Sequence, residues 1–214
     1  MPHTPESPDT SPARRSFLAR LASAAAALGV GTLPVPLAAA PTASRTVEDP
    51  WMARLAGTHR VVFHSHMPTE ALALRWAQTY LDTQRASYGM TDADSGVVVG
   101  LNGRSIGWFF NDAMWAKYPT IADVMQAPGT KNPYTSMVAA LAKRGVLLLA
   151  CNNSIRASGQ RFLPEAERGN EAARTAFADD VRANLLPGVE VVPSMVVTLQ
   201  QAQERGCRYV YAGG

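Results

Sequence analysis

The sequence predicts an α/β fold: a five-stranded, mostly parallel sheet covered by helices on both faces. Three observations predict it. The run Val146-Leu147-Leu148-Leu149-Ala150, opened by Gly145 and closed by Cys151-Asn152-Asn153, is too short for a helix and reads as a buried strand of a parallel sheet. Apolar runs and helically spaced segments then alternate five times along the chain, without repeats. Turn residues punctuate the alternation at Asn102-Gly103, Gly145, Pro187-Gly188 and Gly206.

The first forty residues stand outside this pattern. Arg14-Arg15-Ser16-Phe17-Leu18, followed by Arg20 and an Ala-rich stretch, is a twin-arginine (Tat) export signal, with small residues at Ala38, Ala39, Ala40 and Ala43 as cleavage positions. Gly29, Gly31, Pro34 and Pro36 interrupt the apolar stretch, which suits a removable signal better than a spanning helix. No cysteine lies nearby for a lipid anchor. The expected organisation is a leader and cleavage region over 1–43, a linker over 44–57 and one domain over 58–214. The expected location is the periplasm or beyond, with the Tat machinery as a partner and no membrane association after cleavage.

The mature chain of about 170 residues is long enough for one domain with its own core. The leader takes three basic and two acidic residues out of the chain's 20 and 17, so the net charge falls from +3 to +2. No basic run or aromatic-interleaved stripe remains, and a nucleic-acid partner is not expected.

The elements follow in order. Residues 51–55 suggest a short helix within the linker. The first strand is 59–64, running into Ser65-His66-Met67-Pro68. Pro68, Thr69 and Glu70 open a helix, which keeps Leu72, Trp76, Ala77, Tyr80 and Leu81 in register and ends near Gly89. The second strand is 96–101. An aromatic-dense segment over 106–119 follows, with Asn111 or Asp112 as cap and Pro119 as stop; it is either a packed core or a wall facing a ligand. A helix over 132–144 ends at Gly145, and the third strand runs to Cys151. The polar stretch 156–170 carries no clear element. A helix over 171–185, a strand over 189–192, a helix from Pro193-Ser194 to Arg205 and a strand over 208–212 complete the chain.

The chain resembles the DsrE/DsrF-like family. The likeness is carried by Gly145 to Ser154, by Leu186-Pro187-Gly188-Val189-Glu190-Val191-Val192-Pro193, by Gly206-Cys207-Arg208-Tyr209-Val210 and by Asn111-Asp112-Ala113-Met114-Trp115. The resemblance implies a three-layer α/β/α sandwich that assembles as a trimer, hexamer or larger ring. It also implies a sulfur carrier or sulfurtransferase, holding a persulfide on the cysteine that matches Cys151 and taking its sulfur from a small sulfur compound. No cofactor is implied.

Topology alone also points to a site. Right-handed crossovers bring all strand carboxyl ends to one edge, where ligands collect in such sheets. That edge gathers His64, Ser65 and His66 after the first strand, Asn102 and Arg104 after the second, Cys151, Asn152 and Asn153 after the third, and Ser194 after the fourth. Cys151 is either an activated thiolate or an inert buried thiol. His64 and His66 are structural, acid/base groups beside Cys151, or metal ligands. Asn102, Arg104, Asn152, Asn153 and Ser194 are candidate ligand contacts. Cys207 opens the last strand, at the opposite edge from Cys151 if that strand is parallel, so two free thiols are expected. Two other readings compete with a sulfur carrier: a binding protein for a metal or small ligand at this edge, and an assembly module joined through Trp108 to Trp115.

Overall fold

The computed structural model describes residues 48–213. The expected twin-arginine leader, the expected cleavage region and the first residues of the expected linker lie outside that range. No helix among the described residues is long and apolar enough to cross a membrane.

Five strands form one sheet: β1 (His59–Ser65), β2 (Ser95–Leu101), β3 (Leu147–Cys151), β4 (Val189–Val192) and β5 (Arg208–Tyr211). Their spatial order is β4-β3-β2-β1-β5, and every pairing is parallel. The order fixes where the helices go. From β1 to β4 the chain steps steadily toward one edge, so right-handed crossovers keep those connections on one face. They include α2 (Leu72–Tyr88), α3 (Asp112–Lys117), α4 (Thr120–Met125), α5 (Thr135–Lys143), α6 (Asn152–Arg156), α7 (Gly159–Phe162) and α8 (Glu171–Ala183). The return from β4 to β5, at the far edge beside β1, reverses direction and sends α9 (Met195–Glu204) to the other face. There it joins α1 (Pro50–Ala53).

Strand alternation divides the core in two. Val61, Phe63, Val97, Val99, Leu148 and Ala150 face the larger helical layer. Val62, Val98, Leu147, Leu149, Cys151 and Val192 face α1 and α9. The result is the expected three-layer α/β/α sandwich.

Two expectations are corrected, and one open reading is decided. Residues 50–55 are not linker: Trp51, Met52 and Leu55 are buried against the sheet, and Arg54 pairs with Glu190 on β4. Residues 152–156 and 159–162 are helical, as α6 and α7, so the stretch 156–170 does carry an element: Ile155 and Phe162 each turn one apolar side into the core. Of the two readings of the aromatic segment, packed core holds, and it is neither a ligand wall nor a subunit contact at Trp108 and Trp115. Both rings are buried within one chain, stacked at 5.9 Å, with Tyr134 edge-on to Trp108 at 4.9 Å. Each such ring removes about 150–250 Å² from water, which stabilises the fold by several kcal/mol. Trp51 is also buried, whereas Trp76 is partly exposed.

Candidate functional site

The carboxyl ends of β3 and β4 form a topological switch point. After Cys151 the chain turns to one face of the sheet, and after Val192 it turns to the other. Adjacent strands that part in this way leave a crevice between them, where α/β proteins place ligands. Cys151 is the last residue of β3, and its alternation points the sulfur toward α9. There the backbone N–H of Met195 donates to Cys151 Sγ at 3.3 Å. Met195 is the first residue of a ten-residue helix, so its N–H has no partner within the helix and lies at the positive end of the helix dipole. Ser194 precedes it in an extended conformation and makes no side-chain cap. Cys151 is 4% exposed.

Asn152 and Asn153 begin α6, on the opposite side from the sulfur. Asn152 Oδ1 accepts from Arg182 Nη2 at 3.2 Å, and Asn153 is exposed. Ser154 Oγ accepts from the Gly103 N–H at 2.9 Å, which ties the end of β3 to the end of β2. The loop after β1 is held in the same way. Asn102 N–H donates to Ser65 O, Arg104 N–H to His66 O, and Ser105 Oγ to Ser65 O. Trp108 Nε1 reaches Pro68 O at 2.8 Å, so the buried aromatic segment also fixes the loop that carries the histidines. The Arg104 side chain is exposed and makes no hydrogen bond among the described residues.

His64 is buried at the end of β1, on the α9 face. Its Nε2 lies 3.0 Å from Asn102 Oδ1 and its Nδ1 lies 2.9 Å from the Tyr209 hydroxyl. Asn102 Oδ1 can only accept, so Nε2 carries the hydrogen and Nδ1 accepts from Tyr209. Both contacts are satisfied by the neutral ring in this tautomer. Burial pushes its pKa below the usual value, the Asn102 bond opposes this, and nearby His66 adds to the lowering. His66 is exposed; its Nδ1 lies 2.7 Å from the Tyr211 hydroxyl, and the two rings stack at 5.5 Å.

The residues expected to act together thus fall into two groups. His64 is in register with Gly100, which is in register with Leu149. Cys151 lies two residues further along and two strands across, or about 12 Å from His64 between Cα atoms at normal sheet spacings. The Met195 side chain fills the space over Gly100: a Cβ there would meet Met195 Sδ at 2.6 Å. Met195 therefore bonds Cys151 through its amide and lies, through its thioether, between that sulfur and the histidines. His64 spends both ring nitrogens on Asn102 and Tyr209 and has none for Cys151. Among the described residues, no three His, Cys, Asp or Glu side chains come together as a metal site.

Cys207 is buried just before β5, at the amino edge of the sheet, and burial raises its pKa. Because β5 is parallel to β1, the two cysteines sit at opposite edges, and both are free. Sequence reasoning missed Met195, Tyr209 and Tyr211. The tyrosines alternate onto the same face as His64, a consequence of the β1–β5 register that periodicity within one strand does not reveal.

No family model and no curated protein matches the chain. A solved structure of a protein of unknown function from Methanobacterium thermoautotrophicum is similar over 72% of this chain and 98% of its own, with 21% identity and a TM-score of 0.45.

Proposed function

We propose that this protein is an exported, cysteine-based sulfur carrier of the DsrE/DsrF-like kind, which holds sulfur as a persulfide on Cys151. One observation carries the reading: the Met195 N–H donates to Cys151 Sγ in the crevice between β3 and β4. A thiol acts as a nucleophile in its thiolate form, and an amide at a helix N-terminus favours that anion. The thiolate attacks the outer sulfur of a donor such as thiosulfate. A Cys–S–S⁻ bond forms, the donor's S–S bond breaks, and sulfite leaves with the electron pair. Export through the Tat route and assembly into a trimer or hexamer belong to the same proposal. The reading is tested by cyanolysis of thiosulfate-treated protein, since cyanide removes a persulfide's outer sulfur as thiocyanate and returns the thiolate. About one thiocyanate per chain, lost in Cys151→Ser and kept in Cys207→Ser, is the expected result. Thiocyanate at background level in the wild type would refute it.

A further inference from the structure

We propose that the cleft between α6, α7 and α8 binds a small, multiply charged oxyanion, of the phosphate or sulfate type. The cleft has a volume of about 480 Å³ and is lined by Asn153, Arg156, Gln160, Glu171, Arg174 and Arg182 among others. Three arginines and one glutamate are thus among the residues that line it. Arg182 is the best compensated, through Asp179 at 2.8 Å. Neither Arg156 nor Arg174 makes an ion pair among the described residues.

Two of the three cations are oriented before any ligand arrives. Arg182 Nη2 is tied to Asn152 Oδ1. Arg174 Nη1 donates to Arg168 O at 2.7 Å, and the stem of Arg174 lies against Gly159, where a Cβ would come within 2.8 Å of Arg174 Cα. Gly159 thus lets α7 approach α8 closely enough to bring Arg174 to the cleft. Like charges converging on an open cleft repel one another, and a bound anion relieves that repulsion. Guanidinium groups pair bidentately with oxyanions, and the Asn153 and Gln160 amides add neutral donors. The volume falls within the range of small-molecule sites and exceeds a bare oxyanion, leaving room for a small organic group that carries one. The cleft lies on the opposite side from the Cys151 sulfur, so binding does not depend on sulfur loading.

The test is calorimetric titration of inorganic phosphate, sulfate and glycerol phosphate into the protein, with ionic strength held constant by chloride. The expected result is saturable binding at one site per chain. It should weaken at least tenfold in Arg156→Gln, tighten in Glu171→Gln and remain unchanged in Cys151→Ser. Arg156 is exposed and makes no side-chain bond among the described residues, so an unchanged melting temperature will separate lost binding from lost fold. Tighter binding of glycerol phosphate than of phosphate identifies an organic ester as the ligand, and equal binding a free oxyanion. No saturable binding of any of the three, or binding indifferent to both Arg156→Gln and Arg182→Gln, would overturn the proposal.

Discussion

The Met195 N–H and the Cys151 sulfur meet at 3.3 Å across the point where β3 and β4 send the chain to opposite faces. The contact depends on a third residue. Met195 can sit where it does because Gly100, in the middle of the sheet, leaves space for its thioether. Gly100→Ala should push Met195 away, lowering stability by about 1–3 kcal/mol, the usual cost of overpacking. It should also change the rate at which iodoacetamide alkylates Cys151, because the sulfur loses its hydrogen bond from the Met195 N–H. Urea denaturation and iodoacetamide labelling of the variant measure the two effects separately.

His64 should give stability a pH dependence. Its folded pKa is lowered from 6.5, mainly by burial, so the unfolded chain binds more protons in the window between the two values. Stability is complete above about pH 6.5 and falls as the pH drops through that window toward the folded pKa. His64→Gln should flatten this limb of the curve. Tyr209→Phe should leave Nδ1 without its donor and cost about 1–2 kcal/mol at pH 8. Urea midpoints from pH 5 to 8 check both outcomes.

Asn132 is buried and bonds in three directions: to Trp108 O at 2.9 Å, to Phe110 O at 2.8 Å and from the Tyr134 N–H at 2.9 Å. It closes the aromatic segment onto the start of α5. Asn132→Ala strands two buried carbonyls and an amide, and should lower stability by about 2–4 kcal/mol. Through Trp108 and its bond to Pro68 it should also loosen the histidine loop, seen as faster amide exchange at residues 66–70.

The sheet was legible because parallel strands buried on both faces must be apolar throughout, as in Leu147-Leu148-Leu149-Ala150. The free thiols followed from strand direction alone. The local signals failed where one turn of helix holds one apolar residue. Ile155 and Phe162 are such cases, since a single contact has no period to detect. The edge residues were legible as a set, but not in their grouping. Which of them meet depends on register across β5-β1-β2-β3, and on a methionine that reads as ordinary core. The arginine cleft was invisible for a related reason: Arg156, Arg174 and Arg182 are separated in sequence, and each alone reads as a solvated charge.

The central claim concerns Cys151, and intact mass tests it most directly. The protein is purified natively without reductant and weighed before and after incubation with thiosulfate or polysulfide, then again after reductant. The account predicts a gain of one sulfur atom that reductant removes, present in Cys207→Ser and absent in Cys151→Ser. An unchanged mass after both donors, or a gain that survives in Cys151→Ser, would contradict it.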